Sequence, residues 1–309
     1  MGPSPHIRTS ETVDKVMLDV IIALIPALIM SVYVFKLRAL IVTAVSVIFC
    51  MLTEFLFNKI RNKECTLHDK SAIVTGILFA FVIPVDMSLP FVAIGAFVSI
   101  ALGKMIFGGL GGNVFNPALV GRAFIQASWP VAITTFTLDG VAGATMLDAM
   151  KRNLPVSERL IGEGNMYVQA LIGKMGGCLG ETSAIALLLG GAYLIYKKQI
   201  DWKMPAVIIG TVAVITGLFG ADPVMQVISG GLLLGAFFMA TDMVTSPATQ
   251  KGKLIYAFGI GFLISMIRMK GGYPEGTAFS ILIMNGVVPL INRYTMPKKF
   301  GEVKANGKK

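Results

Sequence analysis

Apolar residues along this chain gather in long, nearly uncharged runs parted by short polar intervals. The runs fall at 20–35, 39–57, 71–85, 89–107 and 115–132 and, after a longer polar stretch, at 183–196, 204–220, 224–240, 254–267 and 278–291. A soluble core helix has no need of repeated stretches that approach the roughly 20 residues a bilayer demands. The pattern predicts an all-α integral membrane protein with about ten transmembrane helices. Several runs are short for a full crossing, so tilted, short or broken helices are expected among them.

Composition fits that pattern. Hydrophobic residues make up 55% of the 309 positions and charged residues 14%, against about 25% charge in an average soluble domain. The net charge of +10 does not form a binding stripe, so no nucleic-acid partner is expected. Lys and Arg instead cluster between runs and at the C-terminus, where they report topology. In alternate intervals, one set holds Arg8, Lys15, Lys59 to Lys70, Lys197 to Lys203, Lys251, Lys253 and the basic tail from Arg293 onward. The other holds Lys36, Arg38, Lys151, Arg152, Arg159, Lys174, Arg268 and Lys270. The richer set marks the cytoplasmic side, which puts both termini inside and the loop 133–182 outside. Cys50, Cys65 and Cys178 form no CxxC pair and only two His accompany them, so no metal site is expected. The N-terminus is polar through Lys15 and lacks a small-residue cleavage motif, so no cleavable signal is expected.

The chain also echoes itself. Thr75-Gly76, an apolar run and Pro84-Val85-Asp86 are matched by Ser229-Gly230, an apolar run and Ala240-Thr241-Asp242. Gly108-Gly109 with Phe115-Asn116 are matched by Gly271-Gly272 with Phe279-Ser280. Five spans is an odd number, so a duplicated half would sit upside down, and such inverted repeats place sites near the midplane. The expected division is a first five-helix repeat at 1–132, an outer loop at 133–182, a second repeat at 183–294 and a basic cytoplasmic tail at 295–309.

Four segments carry candidate chemistry. In the stretch 107–118, four glycines among positions 108–112 let backbone approach a ligand, and Asn116-Pro117 reads as an N-cap and first helical residue. A half-helix N-terminus inside a membrane offers free N–H groups to an anion or carbonyl edge, although plain capping explains the same residues. In 239–249, Asp242 is a carboxylate at membrane depth, with the hydroxyls of Thr241, Thr245 and Ser246 nearby. Its bland role is to cap the next turn. Ser246-Pro247 repeats the cap-then-proline pattern. In 271–279, glycines and a proline beside Tyr273 and Glu275 predict a structured outer hairpin, with Tyr273 either stacking on a ligand or anchoring at the interface. In 139–147, Gly140 and Gly143 predict a tight, exposed turn that leaves the Thr145 hydroxyl unshielded. Glu54, Lys104, Arg122 and Glu181 are further charges near spans that can snorkel or pair.

Together these segments resemble the NqrB/RnfD family, the membrane subunits of Rnf-type complexes and of the sodium-pumping NADH:quinone oxidoreductase. The resemblance covers essentially the whole chain, and the short termini fit the Rnf members better. It implies a flavin attachment signal at Asp139-Gly-Val-Ala-Gly143-Ala144-Thr145, in which Ala142 replaces the family's usual hydroxyl residue. By resemblance, a flavin transferase esterifies the phosphate of FMN to Thr145. The family also implies a second, noncovalent flavin such as riboflavin, for which Asn113, Asn116 and the backbone of 108–112 are the expected pocket, with Asp242, Thr245, Ser246 and Tyr273 as candidate lining. The implied role is electron relay within a complex that couples ferredoxin:NAD oxidoreduction to Na+ or H+ export across the prokaryotic cytoplasmic membrane. The implied partners are the A, B, C, E and G subunits of the Rnf complex, besides membrane lipid. The competing expectation is a stand-alone channel or secondary transporter, which inverted repeats also build.

Overall fold

The computed structural model describes residues 12–138, 141–143, 145–151, 166–173, 176–181, 183–273 and 275–297. It is helical throughout, apart from one small hairpin.

Helix α1 (Val13–Ile60) begins at Thr12, whose hydroxyl accepts from the Lys15 amide at 3.4 Å. Its 48 residues do not form one rod. Lys36 sits at φ 54°, ψ −145°, a left-handed φ rarely adopted by a non-glycine residue. The chain doubles back there, because Asp14 lies 2.5 Å from Lys70 while Glu54 reaches Ser71 through a shared partner, Lys104. The two arms, 13–35 and 37–60, are each about 35 Å long at 1.5 Å per residue, enough for a hydrocarbon core of about 30 Å.

Against these arms packs α2 (Ser71–Phe81), where a Cβ on Gly76 would lie 2.7 Å from Val47 Cα, so only glycine permits the approach. The predicted span 71–85 stops at Phe81, and the chain turns through Pro84, which bridges to Cys178. Next, α3 (Leu89–Ile100) runs into a π turn at Ala101–Met105, and α4 (Pro117–Ser128) is followed by a short α5 (Pro130–Thr134). Strands β1 (Phe136–Leu138) and β2 (Val141–Gly143) pair antiparallel with Leu138 opposite Val141. Asp139 and Ala144 lie outside the described residues. Two short helices follow, α6 (Met146–Lys151) and α7 (Met166–Ile172).

The second half holds α8 (Ala184–Tyr196), capped by Ser183, and α9 (Lys203–Leu218). The predicted span 224–240 is instead broken into α10 (Pro223–Ile228), α11 (Leu232–Leu234) and a π turn at Gly235–Met239. The break falls at Gly230, whose φ of +71° no ordinary residue holds cheaply. Helix α12 (Gln250–Lys270) packs on α9, and α13 (Thr277–Thr295) packs on α12. Among the described helices, α1 and α12 are long and apolar enough to cross a membrane, while α2, α3 with its π turn, α8 and α9 are shorter apolar helices.

Polar contacts sort the connections into two ends. At one, Lys70 meets Asp14, Tyr193 and Gln199 donate to Asp19 (2.9 and 3.1 Å), and Arg61 donates to the Met105 carbonyl (2.6 Å). At the other, Arg38 donates to the Met87 carbonyl (3.1 Å), Lys151 donates to the Gly271 carbonyl (2.6 Å), and Tyr167 donates to Asp222.

Candidate functional site

At the Lys70 end, a cavity of about 110 Å³ is lined by Ser71, Lys104, Asn113, Asn116, Gln199 and Asp242, among others. Lys104 projects from the π turn and is 2% exposed. It donates to Glu54 Oε2 at 2.7 Å and to the Ser71 hydroxyl, while Thr66 supplies the other Glu54 oxygen at 2.5 Å. A fully buried ion pair persists only when its hydrogen bonds are completed in this way. Asn116 Oδ1 accepts from the amides of Ala118 (3.1 Å) and Leu119 (3.4 Å), the N-cap its proline neighbour suggested. Its Nδ2 reaches the Met239 carbonyl at 3.4 Å and so ties α4 to the end of the second π turn. Asn113 Oδ1 is buried without a hydrogen-bond partner among the described residues.

Asp242 takes the bland role and lines the cavity as well. Its carboxylate accepts from the Val244 amide (3.3 Å) and the Thr245 hydroxyl (3.0 Å). Thr245 and Ser246 thus shape the turn rather than face the cavity. The cap-then-proline reading of Ser246-Pro247 fails: α12 starts at Gln250 and is capped by Thr249, whose hydroxyl accepts from Gly252 at 3.0 Å. The Asp242 turn already holds Ser246, through its amide to the Asp242 carbonyl at 3.1 Å.

Tyr273 is at the opposite end, together with Thr145. Two small clefts meet at Thr145, of about 40 and 10 Å³. The first is lined by Arg122, Gln126, Phe136, Tyr273, Glu275 and Phe279 besides Thr145, the second by Gly176, Gly177, Glu181, Gly230 and Glu275. The expectation of an exposed threonine is corrected: Thr145 is 9% exposed and stands at the head of α6, where its Oγ1 accepts from the Asp148 amide at 3.3 Å. Tyr273 is half exposed at the rim, its ring centroid 5.7 Å from that of Phe279. Gly143 is the last residue of β2 and leads toward Thr145.

Behind the clefts lies a charged cluster. Arg122 donates to Glu275 Oε2 at 2.8 Å and lies 3.7 Å from Glu181 Oε1. Glu275 Oε1 accepts from the Gly231 amide at 3.3 Å, at the break between α10 and α11. Arg268 donates to the Gln226 and Ser229 carbonyls, so it holds the frayed end of α10. The charge pattern counts Arg268 among the outer-loop charges, yet it lies within α12 and is 2% exposed. A signal for this is present in the sequence: Arg268 follows Ile264 by four residues and so shares the buried face of Ile260, Gly261 and Ile264. Burial drives the Glu181 carboxyl well above its ordinary range, and the charge of Glu275 pushes the same way. Burial also pushes Glu275 upward, but Arg122, a hydrogen bond to Glu181 and Arg268 outweigh it and hold Glu275 low. Among the described residues, Arg122 Nε, Arg268 Nε and Glu181 Oε1 have no hydrogen-bond partner.

The chain matches the NQR2, RnfD, RnfE family over residues 1–301. It is 48% identical to the D subunit of the proton-translocating ferredoxin:NAD(+) oxidoreductase complex of Clostridium ljungdahlii, over 97% of this chain and 96% of that one. It is 44% identical to the D subunit of the Na(+)-translocating ferredoxin:NAD(+) oxidoreductase complex of Acetobacterium woodii, over 98% and 96%. A third relative, the D subunit of the ion-translocating oxidoreductase complex of Mannheimia succiniciproducens, is 33% identical over 97% of each chain.

Proposed function

The chain belongs to the NQR2, RnfD, RnfE family, and from that premise we propose that it is the membrane-embedded electron-transfer subunit of an Rnf-type complex. Such a complex couples ferredoxin:NAD oxidoreduction to export of Na+ or H+. The observation that carries this reading is the near-complete alignment with two subunits named for that reaction. Those two are named for different ions at nearly equal identity, so the reading keeps both ions. In this proposal the chain crosses the cytoplasmic membrane about ten times in two inverted halves, the Lys70 end inside and the Thr145 end outside. The excess of Lys and Arg on the Lys70 side supports that orientation.

Thr145 is the proposed attachment point for FMN. Its hydroxyl lies in the wall of two adjoining clefts, and orphaned guanidinium nitrogen lies in the cluster behind them. Both fit a phosphoester. The link forms from Thr145 Oγ1 to phosphorus as an activated flavin nucleotide loses its phosphoanhydride partner, and the hydroxyl proton leaves. A flavin transferase catalyses the step. When bound, the flavin supplies one- and two-electron chemistry, and the protein supplies position and polarity. The clefts are too small for a ring system, which suits a tether buried at its phosphate with the ring at the rim beside Tyr273. A second, noncovalent flavin such as riboflavin is proposed for the cavity at the Lys70 end. Gly108, Gly109 and Gly111 have positive φ, with no atom within 4 Å of where a Cβ would stand, and Asn113 brings an unpaired oxygen.

The test is in-gel flavin fluorescence after coexpression with the flavin transferase. The wild-type band should fluoresce, and Thr145→Val should abolish the signal while membrane insertion persists. A dark wild-type band sinks the covalent flavin and returns weight to a channel or transporter. A fluorescent Thr145→Val moves the acceptor elsewhere.

A further inference from the structure

We propose that Arg122 is the residue that positions the flavin phosphodiester at Thr145, with Arg268 supplying the second positive charge behind it. The inference rests on the covalent attachment proposed above and adds to it the anion-holding group.

Arg122 is 8% exposed and lines the same cleft as Thr145, yet its Nε has no hydrogen-bond partner among the described residues. A buried guanidinium N–H left unpaired carries a desolvation penalty, so a fold retains one where a ligand completes it. The charges point the same way. Two arginines face two carboxyls, and burial disfavours the charged form of one of them, Glu181, so the guanidinium charge is incompletely balanced. A phosphodiester carries one negative charge. It would complete both the hydrogen bonding and the charge of this cluster, and guanidinium is the side chain best matched to phosphate oxygens. The walls are made for close approach: a Cβ on Gly230 would lie 2.6 Å from Leu147 Cδ1 and 3.0 Å from Glu275 Oε1. Lys151 fixes the opposite rim by donating to the carbonyls of Gly271 (2.6 Å) and Tyr273 (2.8 Å).

The experiment measures covalent flavin per protein in the full chain coexpressed with the flavin transferase, together with the unfolding temperature in detergent of protein made with and without the transferase. Arg122→Gln is combined with Glu275→Gln so that neither charge is left alone. The double variant should lose about tenfold in flavin incorporation, the scale of one lost charge-assisted hydrogen bond. Its unfolding temperature should also no longer rise on flavinylation, whereas that of the wild type should. Arg122→Lys should keep most of the incorporation, because a point charge still meets the phosphate. Wild-type incorporation in the double variant overturns the role of Arg122 while leaving attachment at Thr145 intact. If the double variant does not accumulate, Arg122→Lys decides: incorporation as low as in Thr145→Val overturns the proposal. A dark wild-type band overturns both readings together.

Discussion

The two buried charge clusters sit at opposite ends of the molecule and are built on opposite plans. At the Lys70 end, Glu54 and Lys104 form a closed pair at 2.7 Å, with Asp69 a more distant second acid at 4.0 Å from Lys104, and Ser71 and Thr66 fill the remaining hydrogen-bond positions. At the Thr145 end, Arg122, Arg268, Glu181 and Glu275 form an open cluster in which burial disfavours the charged form of Glu181, and Arg122 Nε and Arg268 Nε have no hydrogen-bond partner among the described residues. A closed pair holds helices. An open cluster is stable only where something else completes it, or where its proton can move to cover a loss. On the reading proposed above, the first has a structural task and the second holds a ligand.

The comparison is broken most sharply at the closed pair. Lys104→Met leaves Glu54 buried without the ammonium at 2.7 Å that balances it, and should cost about 3–5 kcal/mol of stability. Replacing Glu54 by Leu in the same molecule should return most of that loss, because a buried pair exchanged for apolar groups is near neutral. Thermal unfolding of both variants in detergent checks this. A double variant as unstable as the single one would show that the site does more than join α1 to the π turn after α3.

The open cluster should respond more mildly. In Glu275→Gln, Arg122 loses its carboxylate at 2.8 Å, but Glu181 at 3.7 Å is relieved of the Glu275 charge that pushes its carboxyl upward and can take over. The expected loss is about 1–2 kcal/mol, less than a lone buried charge would impose. Glu181→Gln alone should change stability by less than about 0.5 kcal/mol, since burial already disfavours the charged form of that carboxyl. Removing both carboxyls should cost more than the two single losses combined, and a double-mutant cycle measures the excess. A cycle that is simply additive would mean that the two carboxyls do not share a proton.

Much of the architecture was legible in the sequence, because lipid forces apolar runs to be long and charges to fall between them. The turn at Lys36 and the capped start of α4 both follow from local rules that a linear reading can apply. What was not legible arose where the same local pattern has two outcomes. Asn116-Pro117 and Ser246-Pro247 read alike, yet Asn116 caps a helix while Ser246 is held in the turn built by Asp242. Arg268 reads as a loop charge because it closes its apolar run; its spacing from Ile264 hints at the buried face, and its hydrogen bonds to the end of α10 show that its guanidinium turns inward. Thr145 reads as exposed because its neighbours are small. Tyr273 and Glu275 return to wall its cleft, and a contact from so far along the chain leaves no local trace.

The exposed rim of the Thr145 end offers the mildest contrast with its buried cluster. Asp222 caps α10 through the amides of Val224 (3.0 Å) and Met225 (3.3 Å) and also accepts from the Tyr167 hydroxyl. The Tyr167 hydrogen bond, opposed by slight burial and aided by the two amides, holds the Asp222 carboxyl below its ordinary value. A carboxylate whose folded value is depressed adds stability above its unfolded value and loses it as pH falls through the folded one. Wild-type protein should therefore lose a small increment of stability as pH drops below about 4, the ordinary aspartate value, and Asp222→Asn, which keeps the cap, should lose none. Solvent screens this group, so the effect is the smallest of the three. Unfolding midpoints of the two proteins between pH 7 and about 3 measure it by difference. If the two curves run parallel, the bond between Tyr167 and Asp222 does not persist in solution, and the outer rim is looser than the cluster it covers.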